Sequence, residues 1–452
     1  MSPMSAAHLV LIPILLATIL AAQLSAEEAA SAFKPVVEKF DLKDGDTLVF
    51  LGDSITHQCL YTQYVEDYFY TRYPKLHLHF HNAGVGGDKA KDALARFDED
   101  VAPFKPKYVT VLLGMNDGGY REFDKAIFDT YQRDMSTVLD KIAALDATAV
   151  PMTPTMHDAR SARLAKRAAE PRDTYYNGVL ALFGGWLREQ AQVRGLGFVD
   201  MYGPLNNVTL AQRKKIANWT MIGDAVHPGP TGQVVMAASI LDDMVVKSPV
   251  SAITIQEKDG KLTGSAGRNR VEDLKGGNAI SFSHTAGALP WVLPPDAAEG
   301  YALSKAGHRF SAERITIRNL KPGQYDVKID GQVIGKWSDG LLAAGVELET
   351  NDKTPQFQQA LKVALLNKER NEKAYSPLRD QWSQLKNRRR DIEKLMQAND
   401  PQLEAKKAEF DEWHKGMAGK VAELLAKAKE FEDQIYAANQ PMPHKYEVVP
   451  AQ

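Results

Sequence analysis

The feature that most constrains the fold is a short apolar run, Val49 to Leu51, that stops at Gly52-Asp53-Ser54. A run of such strand-forming residues predicts a short buried strand. Gly52 allows the chain to turn sharply off the end of that strand. Ser54 would then lie at the carboxyl edge of a sheet, where open α/β folds place their sites. Taken alone, the tripeptide is also typical of a turn with a helix-capping serine.

Strand-like and helix-like patterns alternate through the first half of the chain. Gln63 to Tyr73, for example, carries bulky residues at a spacing that suits one face of a helix. This alternation predicts a parallel sheet with helices on both faces. The first predicted strand ends at Leu51. The later ones cover residues 76–80, 108–113, 148–152 and 197–200.

Three further polar motifs follow in the same region. They are Asn82-Ala83-Gly84-Val85-Gly86-Gly87-Asp88, Gly114-Met115-Asn116-Asp117 and Asp224-Ala225-Val226-His227-Pro228. Together with Gly52-Asp53-Ser54, and in this order, they resemble the four blocks of the SGNH (GDSL-type) esterase and lipase family. The resemblance covers residues 45–247 approximately. It implies a flavodoxin-like three-layer α/β/α SGNH-hydrolase domain.

Three of these residues carry the chemistry that the resemblance implies. A serine hydroxyl is a weak nucleophile until a base takes its proton. His227 can be that base if a carboxylate orients its ring, and Asp224 lies three residues before it. The resemblance assigns Ser54 as the nucleophile, His227 as the base and Asp224 as the orienting acid. A capping serine and a surface histidine are the structural alternatives.

The resemblance also implies donors for the oxyanion that forms during acyl transfer. These are the backbone N–H groups of Ser54 and Gly87 and the side chain of Asn116. Gly87 is preferred to Gly84 and Gly86 because it best matches the last glycine of the family's block. The glycine-rich run is also typical of a phosphate cradle, but it lacks the Gly-Lys-Ser/Thr ending.

Four other polar residues lie near these motifs. Asp53 and Asp117 are expected to brace loops by accepting backbone hydrogen bonds. His57 and His157 are interpreted as polar loop residues, with an approach to the cleft as the alternative. No cluster of His, Cys, Asp and Glu has convincing metal-ligand spacing, so neither a metal nor another cofactor is expected.

Length and charge limit the possibilities further. At 452 residues the chain exceeds the usual size of one domain, and its formal net charge of -2 gives no reason to expect a nucleic-acid partner. Cys59 is the single cysteine, so no internal disulfide can form.

The N-terminal residues predict an exported protein. An apolar stretch over residues 8–22 is followed by Gln23-Leu24-Ser25-Ala26, which is the pattern of a signal peptide spanning residues 1–26. A periplasmic or extracellular location follows. The alternative is an uncleaved anchor, although the stretch is shorter than a typical membrane span.

The composition changes after the predicted SGNH domain, residues 27–247. Residues 248–350 read as a β-rich accessory region, in which Asp330-Gly331 between two strand-like runs is a strong hairpin signal. Covering the catalytic domain is the expected role of this region, and sugar binding is the alternative.

Residues 351–440 predict an α-helical hairpin, and residues 441–452 a tail. Two apolar stripes at helical spacing are separated by Asn399-Asp400-Pro401. The hairpin is expected to be a structural or assembly element without a catalytic residue, which binds a protein partner or associates with itself. Truncation after Thr350 is therefore expected to leave Ser54 reactive.

These patterns together predict an exported serine esterase. Its substrate is expected to be an acylated small molecule or carbohydrate, with O-acetyl groups on a carbohydrate favoured, and hydrolysis to pass through an acyl-serine. The alternatives are a lipase or lysophospholipase, and a non-catalytic envelope protein that uses the SGNH domain as a binding scaffold.

Overall fold

The structure is a computed structural model that describes residues 34–164, 172–267 and 269–451. The predicted signal peptide, residues 1–26, lies outside the described residues, so its presence and the export of the protein stay predictions. Across the described ranges, no helix combines the length and the apolar character needed to cross a bilayer.

The first half of the chain forms an α/β unit around a parallel sheet. Its strands are β1 (Thr47–Gly52), β2 (His79–Gly84), β3 (Tyr108–Leu112) and β4 (Thr148–Pro151). They pair in the order β2-β1-β3-β4, and every pairing is parallel. The predicted α/β class is confirmed. The helices of this unit are α1 (Ser54–His57), α2 (Leu60–Arg72), α3 (Ala90–Asp100), α4 (Lys125–Ala143), α5 (Ala159–Leu164), α6 (Arg172–Arg194), α7 (Tyr202–Arg213) and α8 (Pro230–Met244).

Strand β1 is a central strand of the sheet and carries the candidate nucleophile at its end. Its residues Leu48 to Leu51 are at most 1% exposed. Burying side chains of this kind stabilises the fold by about 1.5–3 kcal/mol each. The turn that follows β1 is therefore anchored to a buried strand.

Two predicted strands differ from the observed ones. Strand β2 begins at His79 rather than at residue 76, and it continues to Gly84 because the polar side chains beyond the predicted run have buried partners. His81 Nε2 lies 3.2 Å from Asp100 Oδ1, and Asn82 Nδ2 donates to the Thr56 carbonyl at 2.7 Å. A search for apolar runs cannot detect such a strand. The strand predicted over residues 197–200 is reduced to a single parallel bridge between Met152 and Val199.

The accessory region forms two packed sheets. Its elements are β5 (Ser251–Lys258), β6 (Lys261–Ala266), β7 (Val271–Lys275), β8 (Ile280–Thr285), α9 (Ala298–Leu303), α10 (Ala306–Ser311), β9 (Glu313–Arg318), β10 (Gln324–Ile329), β11 (Gln332–Ser338), α11 (Asp339–Ala344) and β12 (Val346–Glu347). One apolar cluster contains residues of both sheets, such as Ile253 of β5 and Phe282 of β8. The hairpin predicted at Asp330-Gly331 joins β10 to β11, and both turn residues have positive φ, as a two-residue hairpin turn requires.

The predicted tail contains a strand. β13 (Pro443–Pro450) lies between β10 and β8 in the order β11-β10-β13-β8-β7. Tyr446 pairs with Phe282 on one side and with Ile329 on the other. These partners lie more than a hundred residues earlier in the chain, so no local turn signal marks the strand in the sequence.

The helical part comprises α12 (Pro355–Arg370), a π-helical turn (Asn371–Tyr375), α13 (Ser376–Gln397) and α14 (Leu403–Ala438). As predicted, α13 and α14 are separated at Asn399-Asp400-Pro401. Their apolar faces pack on each other and on the α/β unit. Leu378, Trp382 and Leu385 of α13 share one cluster with Cys59 and Val85. The hairpin thus covers part of the catalytic unit.

Candidate active site

Ser54 follows β1 after one residue and begins the helical turn α1. Asp53 caps this turn, because its Oδ1 accepts a hydrogen bond from Ile55 N–H at 2.9 Å. The turn is tight at Gly52, where a Cβ would lie 3.0 Å from the Leu112 carbonyl oxygen and clash with the Thr56 side chain. The Gly-Asp-Ser sequence therefore places the serine hydroxyl at the carboxyl edge of the sheet.

The structure brings the predicted nucleophile, base and acid into one hydrogen-bonded row. His227 Nε2 lies 2.8 Å from Ser54 Oγ, and His227 Nδ1 lies 2.6 Å from Asp224 Oδ2. With the ring proton on Nδ1, the imidazole donates to Asp224 and accepts from the Ser54 hydroxyl. The His227 side chain is 36% exposed, so a substrate can reach the row from solvent.

A tight turn puts Asp224 and His227 on the same side of their loop. Ala225 between them has a φ of +77°. Asp224 Oδ1 accepts hydrogen bonds from the backbone N–H groups of Val226 and His227, at 3.0 and 2.8 Å. One carboxylate oxygen therefore closes the turn while the other orients the imidazole.

These hydrogen bonds also determine the charge of Asp224. Burial alone would raise its pKa, but the bonds from the His227 backbone and ring and from Val226 N–H outweigh burial, so the pKa of Asp224 is lowered. The carboxylate is consequently ionised at neutral pH, as an orienting acid requires.

Asp158 anchors the same loop and was not singled out by the sequence patterns. Its backbone N–H donates to the Ala225 carbonyl at 2.9 Å. Its buried carboxylate oxygen Oδ2 accepts from Thr220 Oγ1 and Arg213 Nη2, both at 2.6 Å. An aspartate within a polar loop carries no sequence signal for such a role.

Asn116 and Gly87 belong to loops that meet beside the row. Asn116 Nδ2 donates to the Asp88 carbonyl at 3.1 Å, and the Tyr120 hydroxyl donates to Asn116 Oδ1 at 3.0 Å. Gly87 has a φ of +69°, where any residue with a Cβ would be strained. The motif that contains Gly87 and the motif that contains Asn116 are therefore hydrogen-bonded to each other. The roles of the Ser54 and Gly87 N–H groups and the Asn116 side chain as oxyanion donors stay predictions.

Asp53 and Asp117 brace loops, as predicted from the sequence. Asp117 Oδ1 accepts from Ala90 N–H at 2.9 Å, which resembles the cap that Asp53 makes. Burial raises the pKa of both carboxyls to about 7. Each therefore holds its proton up to the neutral range, unlike Asp224.

His57 braces the glycine loop, which we define as residues 82–88. Its Nδ1 accepts from Gly86 N–H at 3.3 Å, and its Nε2 lies 3.4 Å from Asp380 Oδ1 on α13. Burial lowers the pKa of His57, and the nearby Arg379 charge lowers it further. His157, the other histidine near the motifs, is buried.

The second half of the chain supplies polar contacts to the glycine loop that motif analysis missed. Lys386 Nζ on α13 donates to the Gly86 carbonyl at 3.1 Å and to Asp88 Oδ1 at 2.8 Å. Arg379, two helical turns earlier on the same face, binds Asp100 through bonds of 2.6 and 2.9 Å. Both basic residues directly follow a leucine that packs on the α/β unit, but a basic residue on a charged helix is ordinarily solvated, so the sequence did not single them out.

A serine bonded to a histidine that is itself oriented by a carboxylate is an arrangement for acyl transfer. At the carboxyl edge of a parallel sheet, it defines a serine-type hydrolase. Residues 50–235 match the model of the GDSL-like Lipase/Acylhydrolase family. The family predicted from the four motifs is confirmed, and the domain is a carboxylic ester hydrolase of the SGNH type.

The proteins to which this chain is similar cover different fractions of its length. An acetylxylan esterase from Geobacillus stearothermophilus is 25% identical over 223 residues, which cover 44% of this chain and 94% of that protein. The solved structure of a gut microbial diltiazem-metabolizing enzyme has a TM-score of 0.77 and 25% identity, covering 92% of this chain and 100% of that chain. A crystal structure of an acetylxylan esterase from Geobacillus stearothermophilus has a TM-score of 0.38 and 24% identity, covering 45% of this chain and 96% of that one.

Proposed function

We propose that this protein is an exported esterase that removes acetyl groups from a carbohydrate through an acyl-serine intermediate. The observation that carries the chemistry is the hydrogen-bonded row of Ser54, His227 and Asp224. The acetyl group and the carbohydrate are supported by the acetylxylan esterase relative. Export is supported by the signal-peptide pattern in residues 1–26.

In the acylation step, Ser54 Oγ attacks the ester carbonyl while His227 Nε2 takes the hydroxyl proton. The imidazolium that forms is stabilised by the ionised Asp224. His227 then gives the proton to the alcohol oxygen as the carbon–oxygen bond to the alcohol breaks. The alcohol leaves, and the acyl group remains on Ser54.

In the deacylation step, a water molecule takes the place of the alcohol. His227 removes its proton as the water oxygen attacks the acyl carbon, and the proton returns to Ser54 Oγ when the acid leaves. In both steps the carbonyl oxygen becomes an oxyanion. We assign its stabilisation to the N–H groups of Ser54 and Gly87 and to Asn116 Nδ2. One such donor typically contributes about 10²–10³ in rate.

The proposal predicts a preference for short acyl chains. On p-nitrophenyl esters, kcat/KM should fall as the chain grows from acetyl to octanoyl, and acetylated xylo-oligosaccharide should release acetate. Steady-state assays with each ester and quantification of released acetate measure both. A rise in kcat/KM towards octanoyl would contradict the proposal and favour a lipase or lysophospholipase.

Two serine variants connect that activity to the row. Ser54→Ala should lower kcat by at least about 10⁴, because the nucleophile is removed. It should also abolish labelling by a fluorophosphonate. Ser265→Ala, at an exposed position on β6, should match the wild type in both assays. A fully active Ser54→Ala variant would contradict the assigned site, and an inactive wild type would favour a non-catalytic binding protein.

A further inference from the structure

We propose that Lys386, on α13 of the C-terminal hairpin, is a positioning residue that holds and polarises the peptide group between Gly86 and Gly87 for oxyanion binding. The inference rests on the acyl-serine chemistry proposed above. It does not depend on which acyl group or alcohol the substrate carries.

The first step concerns the direction of one N–H group. The Gly86 carbonyl and the Gly87 N–H belong to the same planar peptide unit, and in a trans unit they point in opposite directions. Lys386 Nζ donates to that carbonyl oxygen at 3.1 Å. Because the unit is planar, a contact that fixes the carbonyl also fixes the direction of the Gly87 N–H.

The second step concerns the strength of that donor. A positive charge bound to the carbonyl oxygen draws electron density through the amide, so the N–H at the other end becomes a better hydrogen-bond donor. The Lys386 side chain is 18% exposed, so water screens its charge only in part, and the ammonium shares that charge with the carboxylate of Asp88 at 2.8 Å. The oxyanion would therefore interact with an N–H that already carries increased positive charge.

The third step is that few other atoms pack around Gly86 and Gly87, although a hydrogen bond from Asp88 N–H to the Val85 carbonyl closes the turn. A Cβ at Gly86 would meet no heavy atom within 4 Å, and at Gly87 the nearest would be Lys386 Nζ at 3.7 Å. Lys386 Nζ is therefore the one described atom within 4 Å of these two Cβ positions, apart from the neighbouring residues of the chain. Glycine also leaves the backbone more freedom than any other residue. Within the described part of the chain, Lys386 is the side chain found at this position.

The fourth step is that neighbouring contacts converge on the same loop. His57 accepts from Gly86 N–H and pairs with Asp380 of α13. Lys386 also binds Asp88 Oδ1 at 2.8 Å, while Arg96 Nε holds Asp88 Oδ2 at 2.9 Å. The residues before and after Gly87 are therefore both held. On one side Asp380 of α13 contacts His57, which binds Gly86, and on the other Lys386 of α13 binds Asp88.

The test is Lys386→Met, which keeps the length of the side chain but removes the charge and the donors. The turnover number for p-nitrophenyl acetate and the rate of fluorophosphonate labelling at Ser54 should both fall by about 10- to 100-fold, because both reactions develop charge at the oxyanion site. KM should change by less than about threefold, since ground-state binding does not use this donor. Lys386→Arg should recover part of kcat.

The matched control is Lys394→Met on the same helix, where the side chain is 65% exposed and faces Asp391. It should leave kcat and the labelling rate at wild-type values. Thermal unfolding and circular dichroism check that each variant is folded. If the Lys386→Met variant does not fold, Lys386→Gln is used instead. It retains a neutral donor and should still show a reduced kcat.

Two outcomes separate this inference from the proposed substrate. Unchanged kcat and labelling rate in folded Lys386 variants would overturn the inference, as would an effect confined to KM. A wild-type protein that labels at Ser54 but releases no acetate from xylo-oligosaccharide would overturn the substrate alone.

Discussion

Asp117 shows how one side chain beside the site couples protonation to folding. Its Oδ1 accepts from Ala90 N–H, whereas its Oδ2 is buried without a hydrogen-bond partner among the described residues. Burial raises the pKa of this carboxyl to about 7, while an unfolded chain releases the same proton near pH 4. Between these two values the folded state therefore binds one proton more than the unfolded state.

This difference predicts that Asp117 makes the protein less stable as the pH rises from about 4 to about 7. Each pH unit in that window costs roughly 1.4 kcal/mol. In Asp117→Asn the cost is absent, so the variant should gain up to a few kcal/mol on the wild type between pH 4 and pH 8. Urea unfolding at a series of pH values measures the difference. A difference in free energy of unfolding that stays constant with pH would contradict the shifted pKa.

At this scale, the sequence could predict the residues that belong to motifs. Ser54, Asp224 and His227 stand in short stretches whose order in the chain is itself informative. Lys386 could not be found in this way, because about 300 residues separate it from the loop it contacts. A lysine on a charged helix is ordinarily solvated, and only the packing of α13 on the α/β unit shows otherwise.

At the scale of elements, the end of β2 approaches the turn α1 unusually closely. A Cβ at Gly84 would lie 2.4 Å from His57 N and 2.6 Å from Thr56 C. Both are backbone atoms of the turn that Ser54 begins, so they cannot move without displacing the nucleophile. Gly86, two residues later, has open space around its missing side chain.

We therefore predict different effects for two identical substitutions. Gly84→Ala should destabilise the protein by at least about 1–3 kcal/mol, as expected for overpacking against atoms that cannot relax. Gly86→Ala should change the free energy of unfolding by less than about 0.5 kcal/mol. Chemical denaturation of both variants decides the matter, and equal losses of stability would refute the close approach.

Elements with a regular pattern were predictable, and the exceptions have specific causes. The alternation of strands and helices predicted the parallel sheet, and the Asp330-Gly331 pair predicted the β10–β11 hairpin. Strand β2 extends beyond the predicted run because His81 and Asn82 are buried with partners. Strand β13 was missed because pairing with distant strands leaves no local signal.

At the scale of the whole molecule, buried ion pairs join the helical part to the α/β unit. Arg370 Nη1 lies 3.1 Å from Glu66 Oε2, and both side chains are at most 2% exposed. Arg379 makes a comparable pair with Asp100. Removal of everything after Thr350 would take away both arginines and would expose the apolar side chains of the α/β unit that the helices cover. The truncation, after which the sequence predicts that Ser54 stays reactive, is therefore predicted to unfold the catalytic unit.

A point variant tests this dependence more gently than truncation. Arg370→Met should cost about 3–5 kcal/mol, because Glu66 is left buried without its counter-charge. Adding Glu66→Gln should recover part of the loss. Lys420→Met, which breaks an exposed pair with Glu423 on α14, should cost less than about 1 kcal/mol. A loss of unfolding free energy for Arg370→Met as small as that for Lys420→Met would show that the helical part does not stabilise the α/β unit through this ion pair.

The position of β13 between β8 and β10 has a consequence for the order in which the protein is made. A ribosome synthesises the chain from its N-terminus, and domains generally fold as they emerge. The two flanking strands emerge long before β13, the last of the five to be translated. Until then, each exposes an unpaired edge that can capture strands of other chains. The sheet can therefore be completed only after β13 has left the ribosome. Until that moment, aggregation of nascent chains competes with the pairing of β13 between β8 and β10.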